Sequence, residues 1–142
     1  MLHKNRIMIL AFSIIMLTVL LASCGQVIPA EPGAITGRVF LDENADAECD
    51  VCDCDFYLEG IVIQLYEGNC GGTIHQTTVT DEEGIFTFSD LTPGEYCVSP
   101  KVKTICEGYQ PTTPIQQKAT VISEETVEVP WFGFDNNLDI ND

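Results

Sequence analysis

The sequence predicts an all-β domain, a single antiparallel sandwich of seven short strands. Three observations predict it. Apolar side chains recur at every second position from residue 34 onward, which buries one face of a strand. Turn signals built on Gly, Pro, Asp and Asn separate these runs at short intervals. No stretch after residue 34 keeps the three-to-four-residue apolar spacing of a helix.

The first strand is read over residues 34–41, where Ile35, Val39 and Leu41 alternate with Thr36, Arg38 and Phe40. The second covers residues 61–66, with Ile61, Ile63 and Leu65 on one side and Val62, Gln64 and Tyr66 on the other. Residues 73–80 are rich in β-formers and give the third. Asp81-Glu82-Glu83-Gly84 turns the chain into residues 85–88, and Leu91-Thr92-Pro93-Gly94 turns it again into residues 95–102. Residues 104–114 carry two prolines and read as a loop. Residues 116–122 and 126–134 complete the sandwich, and residues 135–142 form an acidic tail.

Residues 1–23 read as an export signal. His3, Lys4 and Arg6 make a basic start, and residues 7–21 are almost wholly apolar. That apolar run is short for a membrane span, which needs roughly twenty residues. Leu21-Ala22-Ser23-Cys24 resembles the bacterial lipobox. The resemblance implies cleavage before Cys24, a diacylglycerol on its sulfur and an acyl chain on its new amine. Several chains together give stable anchoring. The residue after Cys24 is Gly25, not the Asp of an inner-membrane retention signal, which in a two-membrane host favours the outer membrane. Residues 24–33, with two prolines, would be the lipidated cysteine and a short tether. The domain proper is then 34–134.

The whole chain has a formal charge of −16, and losing Lys4 and Arg6 with the leader takes the mature chain to −18. Such a surface repels phosphate backbones, so nucleic acid is excluded as a partner. It attracts cations and basic proteins. Cys49, Cys52, Cys54, Cys70, Cys97 and Cys106 remain after Cys24 is assigned to lipid. An even set in a small exported domain reads as disulfides, with fifteen possible pairings. A Cys52–Cys54 bridge is disfavoured by its one-residue spacer. One arrangement joins Cys70 to Cys97, closing one strand end onto another, and pairs Cys106 with a loop cysteine.

Several blocks carry a family resemblance. Gly33-Ala34-Ile35-Thr36-Gly37-Arg38-Val39-Phe40-Leu41-Asp42-Glu43-Asn44-Ala45-Asp46 resembles the opening of SdrD B-like domains of bacterial surface proteins. Glu59-Gly60-Ile61-Val62-Ile63-Gln64-Leu65-Tyr66 looks like their second strand. Thr78-Val79-Thr80-Asp81-Glu82-Glu83-Gly84-Ile85-Phe86-Thr87-Phe88, followed by Leu91-Thr92-Pro93-Gly94-Glu95-Tyr96-Cys97-Val98, resembles their central hairpin. The resemblance implies a Greek-key, transthyretin-like sandwich, often stabilised by calcium, and implies no reaction.

The acidic segment 42–59 is the first candidate site. Asp42, Asn44 and Asp46 place oxygens at alternate positions of one loop, and Asp50 and Asp53 fall at its ninth and twelfth positions. That spacing matches part of an EF-hand-like calcium loop. The family pattern places ligands at Asp42, Asn44 and Asp46. Two departures stand out: Ala47 occupies the sixth position, where Gly is expected, and Asp53 is shorter than the usual Glu. Cys49, Cys52 and Cys54 have spacing that thiolate zinc ligands can use, but outside the cell disulfides are the default.

Other constellations are weaker. His75 lies on a strand among Gln and Thr, with no Gly-x-Ser-x-Gly elbow in the sequence. Trp131, Phe132 and Phe134 read as core, with an exposed Trp131 as the alternative that would suit a sugar. Enzymes of transthyretin-like fold need more histidines than His75, or a Tyr-Arg-Gly-Ser tail that this chain lacks. Pilin-type domains cross-link a first-strand Lys, where this chain has Arg38. The expectation is therefore a non-enzymatic cell-envelope lipoprotein, stabilised by calcium and disulfides. Its role is structural or interactive, with a glycan- or peptide-binding module, or a subunit of a larger envelope assembly, as alternatives.

Overall fold

The computed structural model describes residues 29–48, 56–101, 103, 105 and 109–136. Among these residues nine strands follow in chain order: β1 (Gly33–Leu41), β2 (Val62–Glu67), β3 (Ile74–Val79), β4 (Ile85–Leu91), β5 (Gly94–Pro100), β6 (Gln110–Pro111), β7 (Gln117–Val121), β8 (Thr126–Glu128) and β9 (Phe132–Asp135). They form two sheets packed face to face. One has the order β4-β1-β9-β6, with β8 also on β1. The other has the order β3-β2-β5-β7. The all-β sandwich is the expected fold, with a higher strand count for two local reasons. The expected last strand, 126–134, divides into β8 and β9 around Pro130, which has no N–H to give to a ladder. The expected loop 104–114 contains the two-residue β6, which pairs with β9.

The sheet of β1 is also not purely antiparallel. β4 runs antiparallel to β1, whereas β8 and β9 run parallel to it, β8 beside Ala34–Thr36 and β9 beside Val39–Leu41. Val129 bridges the two segments by donating its N–H to the Thr36 carbonyl at 3.0 Å.

The core lies between the sheets. Ile35 and Val39 of β1 meet Ile63 and Leu65 of β2, Phe86 and Phe88 of β4, Tyr96 and Val98 of β5, and Phe132 and Phe134 of β9. Phe86 packs at 6.0 Å from both Phe88 and Phe132. Gly37 makes room for it, since a Cβ there would sit 2.5 Å from Phe86 Cζ and 2.8 Å from Val129 Cγ2. Phe40 departs from the expected alternation: it points away from this core yet is buried, because Trp131 packs edge-on at 6.3 Å and Tyr57 bridges to it.

The turns are fixed by side chains. Asp81 Oδ1 accepts the N–H groups of Glu83 and Ile85 at 3.0 and 2.8 Å. Gly84 takes the positive φ of 68° that this turn requires, and a Cβ there would collide with the Val39 carbonyl. Buried Thr80 accepts from Ile61 N–H at 2.9 Å and donates to Leu58 O at 2.6 Å. Tyr96 donates its hydroxyl hydrogen to the Thr92 carbonyl at 2.9 Å, tying β5 to its preceding turn.

Candidate metal centre

The acidic loop starts where β1 ends. Leu41 is in register with Phe134, and the next residue, Asp42, donates its N–H to the Phe134 carbonyl at 2.8 Å. That bond carries Asp42 one step further along the sheet and leaves it only 2% exposed. The chain then turns sharply. Ala45 and Ala47 both have positive φ, 55° and 64°. The strain expected of a non-glycine sixth position is thus present at Ala47.

Side chains of the loop fold back on its own amides. Asp42 Oδ2 accepts Ala47 N–H at 2.9 Å, Asn44 Oδ1 accepts Asp46 N–H at 3.2 Å, and Asp46 Oδ1 accepts Glu48 N–H at 2.9 Å. Asn44 Nδ2 donates to Asp46 Oδ2 at 2.8 Å, so these two side chains already lie together. Asp42 Oδ1 is buried and has no hydrogen-bond partner. A buried carboxylate oxygen without a partner is costly, and a hard cation is one way to satisfy it. The donor set of Asp42, Asn44 and Asp46 is all oxygen and suits calcium chemically. Among the described residues, no group of three or more His, Cys, Asp or Glu side chains is gathered tightly enough to hold a metal. Asp50 and Asp53 lie outside the described residues, as do Cys24, Cys49, Cys52, Cys54 and Cys106.

Asp135 falls, by sequence, in the acidic tail. It is in fact the last residue of β9, 6% exposed, and directly follows Phe134, whose carbonyl holds Asp42. Only the pairing of β9 with β1 reveals this, since an Asp beside Asn136 and Asn137 has the local sequence of a solvated terminus.

Cys70 and Cys97 are bridged, with Cα atoms 5.2 Å apart. Cys70 lies in the β2–β3 connection, and Cys97 is opposite Tyr66 on the outward face of the four-stranded sheet. His75 occupies a β-bulge, the extra residue between the pairs Leu65↔Gln76 and Tyr66↔Ile74. Its Nδ1 is 3.1 Å from Glu67 Oε1, and its ring is 5.8 Å from that of Tyr96. Phe132 and Phe134 are fully buried. Trp131 is half-buried outside the core. Arg38 stacks at 4.9 Å from its ring and 4.5 Å from that of Tyr57, and Trp131 Nε1 donates to Glu128 at 2.8 Å. Its polar edge and one face are therefore engaged within the domain. Among the described residues no helix is long and apolar enough to cross a membrane.

Fold and loop together define a class: a small all-β sandwich module with an acidic loop at one end. The family model of the SdrD B-like domain matches residues 33–128, more than half of the chain. The chain belongs to the SdrD B-like domain family. Among curated proteins, Colossin-A of Dictyostelium discoideum is 43% identical over 59 residues, covering 42% of this chain and, rounded, 0% of that much longer protein. Among solved structures, the minor pilin GBS52 of Streptococcus agalactiae aligns with a TM-score of 0.52 and 20% identity, over 76% of this chain and 46% of that one. The major plantain pollen allergen Pla l 1 aligns with a TM-score of 0.55 and 15% identity, over 75% of this chain and 94% of that one. The chain thus spans less than half of the pilin it matches and almost the whole allergen. At these identities the structural likeness establishes the fold alone.

Proposed function

We propose that this chain is an exported, lipid-anchored envelope module whose β-sandwich, stabilised by calcium and by disulfides, serves a structural or interaction role and catalyses no reaction. The observation that carries the calcium reading is the buried, unpartnered Oδ1 of Asp42 at the head of an oxygen-rich loop. Asp42, Asn44 and Asp46 would hold the ion, with Asp50 and Asp53 as further donors. Bound calcium would neutralise some of the loop's charge and hold its strained turn. The lipid reading rests on the leader and the Leu21-Ala22-Ser23-Cys24 motif. The anchor would hold the domain at the outer face of a bacterial membrane, within the short reach of its tether. A glycan platform on Trp131 has less behind it, because Arg38 covers one ring face and Glu128 takes the indole N–H.

Thermal unfolding with EDTA and then with millimolar calcium tests the cation. A ligand at about a hundred times its Kd adds roughly 2.7 kcal/mol to stability. The expected result is a clear rise in Tm that disappears in a variant carrying Asp42→Ala and Asp46→Ala. An unchanged Tm would leave the loop without a structural ion. Incorporation of a labelled fatty acid, lost on Cys24→Ala, tests the anchor.

A further inference from the structure

A sheet edge exposes unpaired N–H and C=O groups, and folded proteins protect such edges with charge, proline, bulges or cover. Among the described residues the edges of this sandwich differ in that respect, and β8, paired only with β1, has three residues, one of them Glu128. β6 has two residues, one of them Pro111. β7 carries Lys118 and has β8 packed beside it. β4 carries Ser89 and Asp90 just before its last residue, where Asp90 takes a φ of 58° and the register shifts. β3, Ile-His-Gln-Thr-Thr-Val, has no carboxylate, lysine, arginine or proline, in a chain with 22 acidic and 6 basic side chains. Its bulge at His75 leaves Gln76 to Val79 regularly paired with β2. Among the described residues no strand pairs with its other side, although β4 of the other sheet approaches it.

The ladder shows which groups face outward. Thr80 donates its N–H to Ile61 O and accepts from Gly60 N–H, so its backbone faces β2. Successive residues alternate, so Thr78 and Gln76 also face β2, while Thr77 and Val79 direct their N–H and C=O away from the sheet. On the same edge Ile74 is 44% exposed and Val79 53%. Exposed carboxylates lie near both ends of this strand: Glu67 at the end of β2, 3.1 Å from His75, and Glu82 and Glu83 beyond Val79.

We propose that the outer edge of β3 is a docking strand that takes up an extended peptide segment of a partner protein, β-forming and uncharged at its centre and basic at its flanks. Main-chain bonds to Thr77 and Val79 would supply affinity, and the acidic borders would select the flanks. A second copy of this chain is the less favoured occupant, because it would bring the same carboxylates to the same ends. The inference deepens the interaction role proposed above, yet uses neither cation nor lipid, so a calcium-insensitive Tm would leave it standing.

The test uses the full-length chain in a non-ionic detergent and a fluorescein-labelled peptide, Lys-Lys-Thr-Val-Thr-Ile-Thr-Lys-Lys, followed by anisotropy. Saturable binding is expected, at least tenfold weaker to Thr77→Pro, which removes one outward N–H and leaves the β2 ladder intact. Thr77→Lys, which keeps that N–H and adds like charge, should also weaken binding. Amide exchange at Thr77 and Val79 should slow on addition of the peptide. The proposal is overturned by absent binding, by both variants binding the peptide as tightly as the unaltered chain, or by a dimer of the chain alone that Thr77→Pro dissolves.

Discussion

Ala47 and Arg38 show how single positions are balanced. Ala47 holds a φ of 64°, where a β-carbon is crowded and glycine is at ease. Ala47→Gly is expected to raise stability by about 0.5–1 kcal/mol in denaturant titrations, since the relief of strain outweighs the added freedom of the unfolded chain. Arg38 lies between the Tyr57 and Trp131 rings at 4.5 and 4.9 Å. Arg38→Ala should cost about 1–2 kcal/mol. Because the chain has one tryptophan, the loss is readable as a red shift in emission. Residues of this kind are only partly legible in the sequence. The positive φ at the sixth loop position follows from spacing alone, but the stacking of Arg38 requires Tyr57 and Trp131, which are far from it in the chain. Asp135 is the same case: its burial comes from β9 lying beside β1, and nothing local signals it.

At the scale of strands and turns, the period-two runs and the turn at Asp81 to Gly84 are readable because each is determined within a few residues. What local pattern does not carry is which strand pairs with which. The division of 126–134 around Pro130 and the parallel placement of β8 and β9 are tertiary outcomes. The bulge at His75 is another, set by β3 fitting β2. Two predictions belong here. Thr80→Val keeps the shape but removes both hydrogen bonds of a side chain 3% exposed, leaving Ile61 N–H and Leu58 O unpaired. A loss of about 2–4 kcal/mol is expected. Replacing Cys70 and Cys97 together by alanine opens a bridge of sequence separation 27. In the chain-entropy account this costs about 3–4 kcal/mol, measurable against the oxidised protein in urea.

For the whole molecule, charge dominates. A formal charge of −16 on so small a chain makes the folded state repel itself. Sodium chloride raised from about 0.01 to 0.1 M shortens the screening length from about 30 to about 10 Å. Tm should climb over that range with EDTA present, and calcium should add a further increment at constant ionic strength. A Tm indifferent to both would mean that neither charge repulsion nor a bound ion contributes to stability. The topology also governs how the domain responds to tension. β1 starts at Gly33, and β9 runs parallel to its far end and finishes at Asp135, so the chain enters and leaves at opposite ends of the same sheet. Pulling those two points apart slides β9 along β1 and loads the bonds of Val39 to Leu41 together. An antiparallel pairing would let those bonds break in succession, like a zip. A stretch applied between Gly33 and Asp135 would therefore meet its resistance at this one short parallel pairing.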